Sequence, residues 1–594
     1  MNTIKYMWET IKFQPILYFL TWFFSFTFFI TPLIAALVVR EIFNVLEGVS
    51  NLETDIWLLV IIFFAVNVIQ LILDVTWAII QYMFHLSSRL LFRKNMINGV
   101  LKQPGGLSLP YSSGESISRF RRDADEAAYF PIAIADLLNF MIFGILAIFL
   151  MMDINVEVTT FVFLPFSIVI ITVNLFRRRL MYLRDERRKA TGVVTGTINE
   201  MFNSVQSIKV ANAENDILAN FEKINKKRGD ASIKDEFLDA FLNGLRLLIV
   251  FLATGLMFMI IIDPMISNTF SIGDFALFTF LLGWVTGAIN YFGTTIARYH
   301  RTKISVKRMI KLMKGDQKEI GEDLILKHGP IYTKEEYPKI IPPHQKQEDN
   351  LEVISVEDLS YTYPDSSKGI QDVNFTLKRN TLTVITGKVG SGKSTLLKTI
   401  LGLLPKSKGV ICWNGNPIKD EANFFVPPRS AYTAQIPHLF SDTIKENILF
   451  GYPEDSIEIN EALTLASIKE EILEFEEQLE TTIGPKGVKL SGGQKQRLAA
   501  ARMLSRNPQL IVFDDLSSAL DIETELDLWN QLFSNNVGTY LVVSHRAMVL
   551  QQADNIILLK NGQIDAQGNL SKLLHESAEM RRLYEDQSRN NDIA

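Results

Sequence analysis

Two glycine-rich segments in the second half of the chain carry residue types that bind phosphate. The first runs Gly387-Lys388-Val389-Gly390-Ser391-Gly392-Lys393-Ser394 and fits the spacing G-x-x-x-x-G-K-[ST]. It follows an apolar, β-branched run, Thr381–Ile385, and precedes a helical pattern that starts at Ser394. In that context the glycines let backbone N–H groups converge on phosphate oxygens. The segment predicts a nucleotide site in which Lys393 reaches the β- and γ-phosphates and Ser394 ligates Mg²⁺.

The second segment, Leu490-Ser491-Gly492-Gly493-Gln494, opens a predicted helix over Gln496–Met503. The Ser491 hydroxyl and the two glycine amides therefore form another anion-binding helix terminus. One compact domain has little use for two phosphate cradles on separate helices unless two copies face each other. The pair predicts nucleotide binding and dimerisation together.

Two more apolar runs end in residues that could serve the same site. Gln509–Asp514 reads as a buried strand that ends in an acid, and Leu541–His545 as a buried strand that ends in a histidine. Asp514 stands where a carboxylate is expected to hold the hydration shell of Mg²⁺. These runs predict an α/β domain whose strand ends converge on the phosphates.

With these motifs in place, the chain from about residue 350 to its end resembles the nucleotide-binding domain of an ABC transporter, above all through Leu490–Gln494. The resemblance implies ATP and Mg²⁺ as ligands, with ATP held between the phosphate loop of one subunit and the Ser491 segment of the other. It implies that Tyr363 stacks on adenine, that Gln435 senses Mg²⁺ and contacts the membrane domain, and that His545 contacts the γ-phosphate. Asp521 falls in the stretch Ser518–Asp521, which resembles the loop that crosses the dimer interface.

The implied residues fall into three sets. The nucleotide set is Tyr363, Gly387, Lys388, Val389, Gly390, Ser391, Gly392, Lys393, Ser394, Thr395, Gln435, Ser491, Gly492, Gly493, Gln494, Asp521 and His545. The catalytic set is Asp515, His545, Gln435 and Lys393, and the metal set is Ser394, Gln435 and Asp514.

The sequence departs from the family pattern at two positions. The family usually has glutamate after the metal-binding aspartate, as general base on the attacking water, whereas this chain has Asp515. A carboxylate one methylene shorter lies roughly 1.5 Å further back, and a misplacement of about 1 Å can lower a rate on the order of a hundredfold. Either hydrolysis is impaired or the backbone adjusts so that Asp515 serves. The second departure is Pro485, shortly before Ser491, where exporters of the family usually have glutamate. In the family this segment helps to couple the nucleotide-binding domain to the membrane domain.

The first half of the chain predicts an all-α membrane domain. The whole chain is 48% hydrophobic with a mean hydropathy of +0.15, but apolar stretches of about 20 residues, enough to cross a bilayer as helix, occur only before residue 300. The six predicted spans are Pro15–Val39, Ile56–Ile80, Ile132–Met152, Thr159–Leu175, Leu245–Ile262 and Ile272–Ile296. The predicted fold is thus a six-helix transmembrane domain over 1–310, a linker over 311–350 and an α/β P-loop domain over 351–590.

Basic residues are concentrated in alternate loops, after the second and the fourth span. The positive-inside rule places both termini in the cytoplasm. We therefore expect a multi-pass protein of the plasma membrane, and the resemblance implies a bacterial inner membrane. Ser113–Phe120 resembles the first coupling loop of ABC exporters, and Gly196–Glu200 resembles the helix that flanks the second.

Polar residues inside the spans are candidates for a substrate path. Asp74 is expected near the inner boundary of the second span, which favours a boundary residue over a substrate ligand. Asn139, Asn174 and Asn290 are expected to form hydrogen bonds between helices.

The remaining features exclude other classes. Cys412 is the only cysteine, which excludes a disulfide framework and an N-terminal cysteine-peptidase domain. The first span is too long for a cleaved signal. The net charge of −5 selects no partner, and no nucleic-acid module is apparent.

Two functions fit these observations. The resemblance implies a half-size exporter, driven by ATP in a lipid membrane, that pairs with an identical or a different half-transporter to move an unknown drug-like, lipid or peptide-like solute. The alternative is a nucleotide-gated channel or regulatory subunit that binds ATP with little turnover. Direction of transport follows from analogy only.

Overall fold

The structure is a computed structural model that describes the backbone of residues 3–50, 55–107, 109–267, 269–315, 322–331, 342–343, 345–364, 366–484, 487–516, 520–534 and 538–591. Within these ranges it leaves aside the side chains of residues 162–174, 177–178, 246–247, 249–250, 253, 286, 289–290 and 586–591. Pro485, the loop residues Ser518 and Ala519, and much of the predicted linker lie outside the described backbone. The side chains of Asn174 and Asn290 lie outside the description as well.

The chain divides into two compact units. Unit 1 comprises Met1–Ile97 and Tyr111–Ile331, and unit 2 comprises Asn98–Pro110 and Tyr332–Ala594. These bounds differ from the expected domains at two places, because residues 98–110 join unit 2 and the first part of the expected linker joins unit 1.

The regular secondary structure in the described part of unit 1 is all helical. Its helices are α1 Thr3–Phe13, α2 Pro15–Glu47, α3 Ile56–Leu101, α4 Ser113–Ser118, α5 Ala124–Ile154, α6 Val156–Asn203, α7 Val205–Val210, α8 Glu214–Ile260, α9 Ile262–Ile266 and α10 Ile272–Lys314. A π-helical turn, Arg119–Asp123, joins α4 to α5.

The six predicted spans fall within α2, α3, α5, α6, α8 and α10, although α8 ends at Ile260 rather than Ile262. Among the described side chains, α2, α3 and the stretch Ser113–Ile154 are apolar and long enough to cross a bilayer, and Ile272–Val285 is a shorter apolar segment. The helices α3, Ile56–Leu101, and α6, Val156–Asn203, extend far beyond the apolar stretches of the second and fourth spans.

The core of unit 1 lies between α2, α5 and α10, where Phe29, Phe143 and Phe278 are buried. Helices α6 and α8 pack mainly against each other and touch the rest of the unit sparsely. Helix α7, at the turn between them, has no buried residue. The pair therefore leaves much of its surface available to lipid or to another chain.

Unit 2 contains two sheets. Its strands are β1 Val353–Thr362, β2 Gly369–Lys378, β3 Leu382–Thr386, β4 Lys408–Trp413, β5 Asn416–Pro417, β6 Ser430–Thr433, β7 Leu510–Asp514, β8 Thr539–Val543, β9 Asn555–Lys560 and β10 Gln563–Gly568. One sheet has the order β2-β1-β4-β5 and is antiparallel; the other has the order β10-β9-β3-β8-β7-β6. In the second sheet β9, β3, β8, β7 and β6 are parallel.

The buried residues of β3, β7 and β8 form the continuous apolar runs expected of parallel strands covered on both faces. The helices of unit 2 are α11 Lys393–Ile400, α12 Glu421–Phe424, α13 Ile444–Leu449, α14 Ile459–Leu465, α15 Lys469–Leu473, α16 Gly492–Leu504, α17 Ile522–Ser534, α18 Ala547–Gln552, α19 Leu570–Glu576 and α20 Ala578–Asn591. The α/β class expected for this region is confirmed.

The first coupling segment differs from the expectation. Ser113–Ser118 is a helix of unit 1, capped by Ser112, whereas the segment that packs within unit 2 is Asn98–Pro110. There the Gly106 amide donates to the Leu403 carbonyl at 2.8 Å, and a Cβ at Gly106 would lie 2.6 Å from that oxygen. The backbone approach at Gly106 is a tertiary contact that the loop's own composition does not reveal.

Candidate nucleotide site

The loop between β3 and α11 has a backbone that only glycine accepts at its first position. Gly387 has φ 141° and Gly392, which precedes α11, has φ 105°. A Cβ at Gly387 would lie 2.2 Å from the Leu559 carbonyl oxygen. Strand, loop and helix follow one another as predicted, so the first turn of α11 comes directly after the loop.

Lys393 lies across this loop. Its Nζ donates to the carbonyl oxygens of Gly387 at 2.7 Å and Lys388 at 3.0 Å. Burial lowers the pKa of the Lys393 ammonium, and the charges of Asp515 and Asp514 oppose that shift. The Ser391 hydroxyl is buried in the same loop without a hydrogen-bond partner. A bound phosphate would supply acceptors for both groups, so the loop fits the ligand that its sequence predicts.

Ser394 and Asp514 meet as the metal assignment requires. The Ser394 hydroxyl donates to Asp514 Oδ1 at 2.9 Å, and the Tyr432 hydroxyl donates to Asp514 Oδ2 at 3.3 Å. Burial raises the pKa of Asp514, although the hydrogen bond from Ser394 opposes it. Two hard oxygen ligands beside a phosphate site suit Mg²⁺, which takes few protein ligands and completes its shell from phosphate and water. The described part of the chain has no cluster of three or more His, Cys, Asp or Glu that would hold a metal alone.

Gln435 and Asp515 are also brought together. Gln435 Nε2 donates to Asp515 Oδ2 at 3.0 Å, and the Gln435 carbonyl accepts from Gln496 at 3.1 Å. Asp515 has φ 56°, in the left-handed region that aspartate tolerates better than most residues. Burial raises the pKa of Asp515, while the Gln435 hydrogen bond opposes it. Gln435 is therefore hydrogen-bonded directly to Asp515, the candidate general base.

His545 follows β8 and is fixed by its neighbour on β3. Its Nδ1 lies 3.2 Å from the Thr386 hydroxyl. Burial, and then the positive charge of Lys393, lower the pKa of His545 to about 4. The imidazole is therefore neutral at neutral pH and can offer one N–H to a phosphate oxygen.

This pKa predicts the pH dependence of His545→Gln. Because the wild-type imidazole is already neutral above about pH 5.5, the ratio of wild-type to variant kcat/KM for ATP should be constant from pH 5.5 to 8. Protonation should change the ratio only as the pH falls toward 4. Steady-state hydrolysis across this range measures it. A change in the ratio centred near pH 6.5, where an unperturbed histidine titrates, would contradict the assignment.

The second phosphate cradle lies at the start of α16. The Ser491 hydroxyl accepts from the Gln494 amide at 3.1 Å, and the Gln494 side chain accepts from the Ser491 amide at 2.9 Å. Gln494 also donates to Glu471 at 2.8 Å, and Glu471 pairs with Arg497. Ser491 and Gly492 are exposed, while Gly493 is buried. The expected helix is confirmed. Its N-terminus is exposed, and the hydrogen bonds of Gln494 to Ser491 and Glu471 hold it in place.

The other predicted residues are more peripheral. Tyr363 is 36% exposed, and its hydroxyl lies 3.3 Å from the Thr395 hydroxyl. Asp521 caps α17, where it accepts from the Thr524 amide at 2.9 Å. Val389 is 97% exposed at the loop tip, and Lys388 pairs with Glu579 of α20 at 2.9 Å. Tyr363 thus lies beside the phosphate loop, whereas the Lys388 side chain is directed to α20.

Sequence reasoning missed two contacts of this site. Tyr432 stands three residues before Gln435, on β6, and only the pairing of β6 with β7 brings its hydroxyl to Asp514. Glu579 is distant in sequence from Lys388 and lies in a polar helix without a motif. Neither position carries a local signal.

Known proteins resemble the chain along most of its length. A family model described as the ABC transporter transmembrane region matches residues 16–289, and one described as ABC transporter matches residues 370–518. The probable multidrug resistance ABC transporter ATP-binding/permease protein YheI of Bacillus subtilis is 28% identical over 74% of this chain and 73% of its own length. A putative multidrug export ATP-binding/permease protein of Staphylococcus aureus is 28% identical over 80% of both chains.

The fold is also similar to that of solved structures. The structure of a bacterial Atm1-family ABC exporter with ATP bound has a TM-score of 0.73 and 19% identity, and the match covers 95% of this chain and 97% of that one. The similarity shows a common fold.

Proposed function

This chain belongs to the ABC transporter family, with its membrane region and ATPase in one polypeptide, and we propose that two such chains form an ATP-driven exporter. The observation that carries the proposal is the combination of a complete phosphate and metal loop, centred on Lys393, Ser394 and Asp514, with an outward-facing phosphate cradle at Ser491. Each is half of a site that two chains complete between them.

The described contacts support this composite site. Ser491 is hydrogen-bonded to Gln494 of its own helix, and Lys393 to carbonyl groups of its own loop. The Ser491 helix terminus is exposed and carries the partial positive charge of α16. It is therefore available to a phosphate held by another chain.

The residues then have distinct roles in hydrolysis. Lys393 neutralises charge on the transferred phosphoryl group, and neutral His545 donates a hydrogen bond to it. Ser394 and Asp514, with Gln435 nearby, would hold Mg²⁺, which would supply positive charge against the phosphates when bound. Asp515 orients the attacking water and accepts its proton, and Gln435 positions that carboxylate through the contact at 3.0 Å.

The membrane unit supports the same assembly. The α6–α8 pair packs mainly on itself and ends in α7, whose residues are all accessible. We propose that this arm contacts the second subunit, and that both termini lie in the cytoplasm of a plasma membrane, as the loop charges predict. ATP binds the closed pair of nucleotide-binding domains more tightly than the open pair. This difference in affinity drives the membrane helices between inward-facing and outward-facing states. The relatives named for multidrug export support outward transport.

Mixing two inactive variants tests the composite site. Lys393→Met inactivates the half of a site that the phosphate loop supplies, and Ser491→Arg inactivates the half that the Ser491 segment supplies. Each variant alone should therefore hydrolyse little ATP. In a mixed dimer one site carries both lesions and the other carries neither. Co-expression with two affinity tags, followed by tandem purification, should therefore restore hydrolysis to a substantial fraction of one wild-type site.

The matched control is the double variant Lys393→Met/Ser491→Arg paired with wild type, which leaves no intact composite site although one chain is intact. If that dimer hydrolyses ATP and the mixed dimer does not, each chain works alone and the proposal fails. If purified wild-type chain is itself inactive and gains hydrolysis only with a different half-transporter, the partner is a heterologous chain.

A regulatory or channel function is the second candidate, and Asp515 is the observation that favours it. A subunit whose base is displaced would bind ATP and close without rapid turnover. Transport of a solute into inverted vesicles that requires ATP hydrolysis supports the exporter, whereas ion conductance without turnover supports the channel.

A further inference from the structure

Four aspartates are buried in the described part of unit 1, and three of them, Asp123, Asp235 and Asp274, form ion pairs with arginine. The fourth does not. Asp136, on α5, is 4% exposed. Among the side chains that the structure describes, no lysine, arginine or histidine forms an ion pair with it; Arg298 and Arg301 pair with Glu126 instead. A charge inside a membrane bundle without a counter-ion is costly and is retained where it has a function.

Both carboxylate oxygens of Asp136 accept hydrogen bonds from neighbouring helices. The Ser25 hydroxyl of α2 donates to Oδ1 at 2.6 Å, and the Tyr291 hydroxyl of α10 donates to Oδ2 at 3.2 Å. Donors on both oxygens stabilise the ionised carboxylate. The three helices thus hold the carboxylate in place, and no described cationic side chain lies against it.

A second acceptor lies one helical turn away on α5. Asn139 is 1% exposed; its Nδ2 donates to the Trp22 carbonyl at 3.3 Å, the hydrogen bond between helices that the sequence predicted. Its Oδ1, however, is buried with no hydrogen-bond partner. Residues three apart share one face of a helix, so Asp136 and Asn139 present two oxygen acceptors to the same region.

Aromatic rings lie one turn further along the same helices. The ring centroid of Phe140 lies 4.2 Å from that of Phe29 and 5.1 Å from that of Tyr291. Trp284 joins the group at 6.4 Å from Phe140. Between Trp284 and Tyr291, Gly287 has no side chain, and an added Cβ there would touch only Phe140, at 3.8 Å. Aromatic faces beside a carboxylate are the surroundings that a poorly hydrated organic cation prefers.

We propose that Asp136 is the anchoring carboxylate of a site for a lipophilic organic cation, with Phe29, Phe140, Tyr291 and Trp284 as its aromatic wall and Asn139 as a second acceptor. The inference rests on the proposed function, since it names the class of solute that the membrane unit would carry. A small metal ion would need a shell of several oxygens, whereas most of the side chains named here are aromatic.

Two probes of one shape and opposite charge test the site. Wild-type protein and Asp136→Asn are placed in zwitterionic lipid nanodiscs without nucleotide and titrated with tetraphenylphosphonium and with tetraphenylborate, with empty nanodiscs subtracted. Wild type should bind the phosphonium at least about tenfold more tightly than the borate, and Asp136→Asn should lose at least about tenfold in phosphonium affinity. Asp153→Asn is the matched control, an exposed acid near the end of the same helix, and should leave phosphonium binding unchanged.

Asp136→Glu keeps the charge and should retain phosphonium binding better than Asp136→Asn, which separates loss of charge from loss of fold. Equal binding of the two probes to wild type, or unchanged phosphonium affinity in Asp136→Asn, overturns the proposal. Displacement of the phosphonium by millimolar sodium, but not by choline, would assign the carboxylate to a metal ion and overturn it too. Because no nucleotide is present, these outcomes stand apart from failure of the composite ATP site.

Discussion

Lys393→Met should lower the rate of ATP hydrolysis on the order of a hundredfold to a thousandfold, the usual effect of removing a preorganised group that stabilises transition-state charge. The reason is positional, since the Lys393 ammonium is half-buried and held over the loop by the carbonyls of Gly387 and Lys388. Methionine fills a similar volume without a charge, so the loop should persist. Steady-state phosphate release by the purified protein in nanodiscs measures the effect.

Lys388→Met is the comparison within the same loop. Its ammonium pairs with Glu579 rather than with the loop interior, and what it offers phosphate is its backbone amide. The loss should therefore be small, within about threefold, as for an exposed ion pair. Equal losses in the two variants would show that general positive charge, rather than the placement of Lys393, supports turnover.

Motifs with local geometry were predictable from sequence. The loop at Gly387 needs residues that accept its backbone, and the helix at Ser491 needs a capping side chain, so residue type and spacing specify both. Membrane helices α2, α3 and α5 were predictable for a similar reason, because lipid requires long apolar helices.

Contacts that depend on tertiary packing were not predictable. The close approach of Gly106 to Leu403 places residues 98–110 in unit 2, and nothing in that loop's composition distinguishes it from the helix at Ser113. Asp136 is a second case. Its hydrogen-bond donors lie on α2 and α10, both distant from it in sequence, so the surroundings of this acid form only when those helices pack against α5.

Asp515 has one feature that the sequence predicts and two that depend on tertiary packing. Its position after Asp514 was predictable, whereas its hydrogen bond with Gln435 and its left-handed backbone were not. Gln435, two residues after β6, donates a hydrogen bond to the short carboxylate, and burial raises the pKa of Asp515. A glutamate on the same backbone would place its carboxylate roughly 1.5 Å further from the chain.

Asp515→Glu should therefore raise the rate of ATP hydrolysis by about tenfold and up to a hundredfold, since a displacement of about 1 Å can account for that range. Asp515→Asn should lower the rate below wild type, because an amide orients water but accepts no proton. Asp514→Glu is the matched control: the same added methylene, one residue earlier, disturbs the contact with Ser394 and should lower the rate. An Asp515→Glu rate at or below that of wild type, with Asp515→Asn strongly impaired, would mean that the left-handed backbone already brings the shorter acid into position. Aspartate and glutamate differ only in the reach of the carboxylate. A faster Asp515→Glu variant would therefore show that the base limits turnover in the wild type, whereas a slower one would show a fully catalytic subunit.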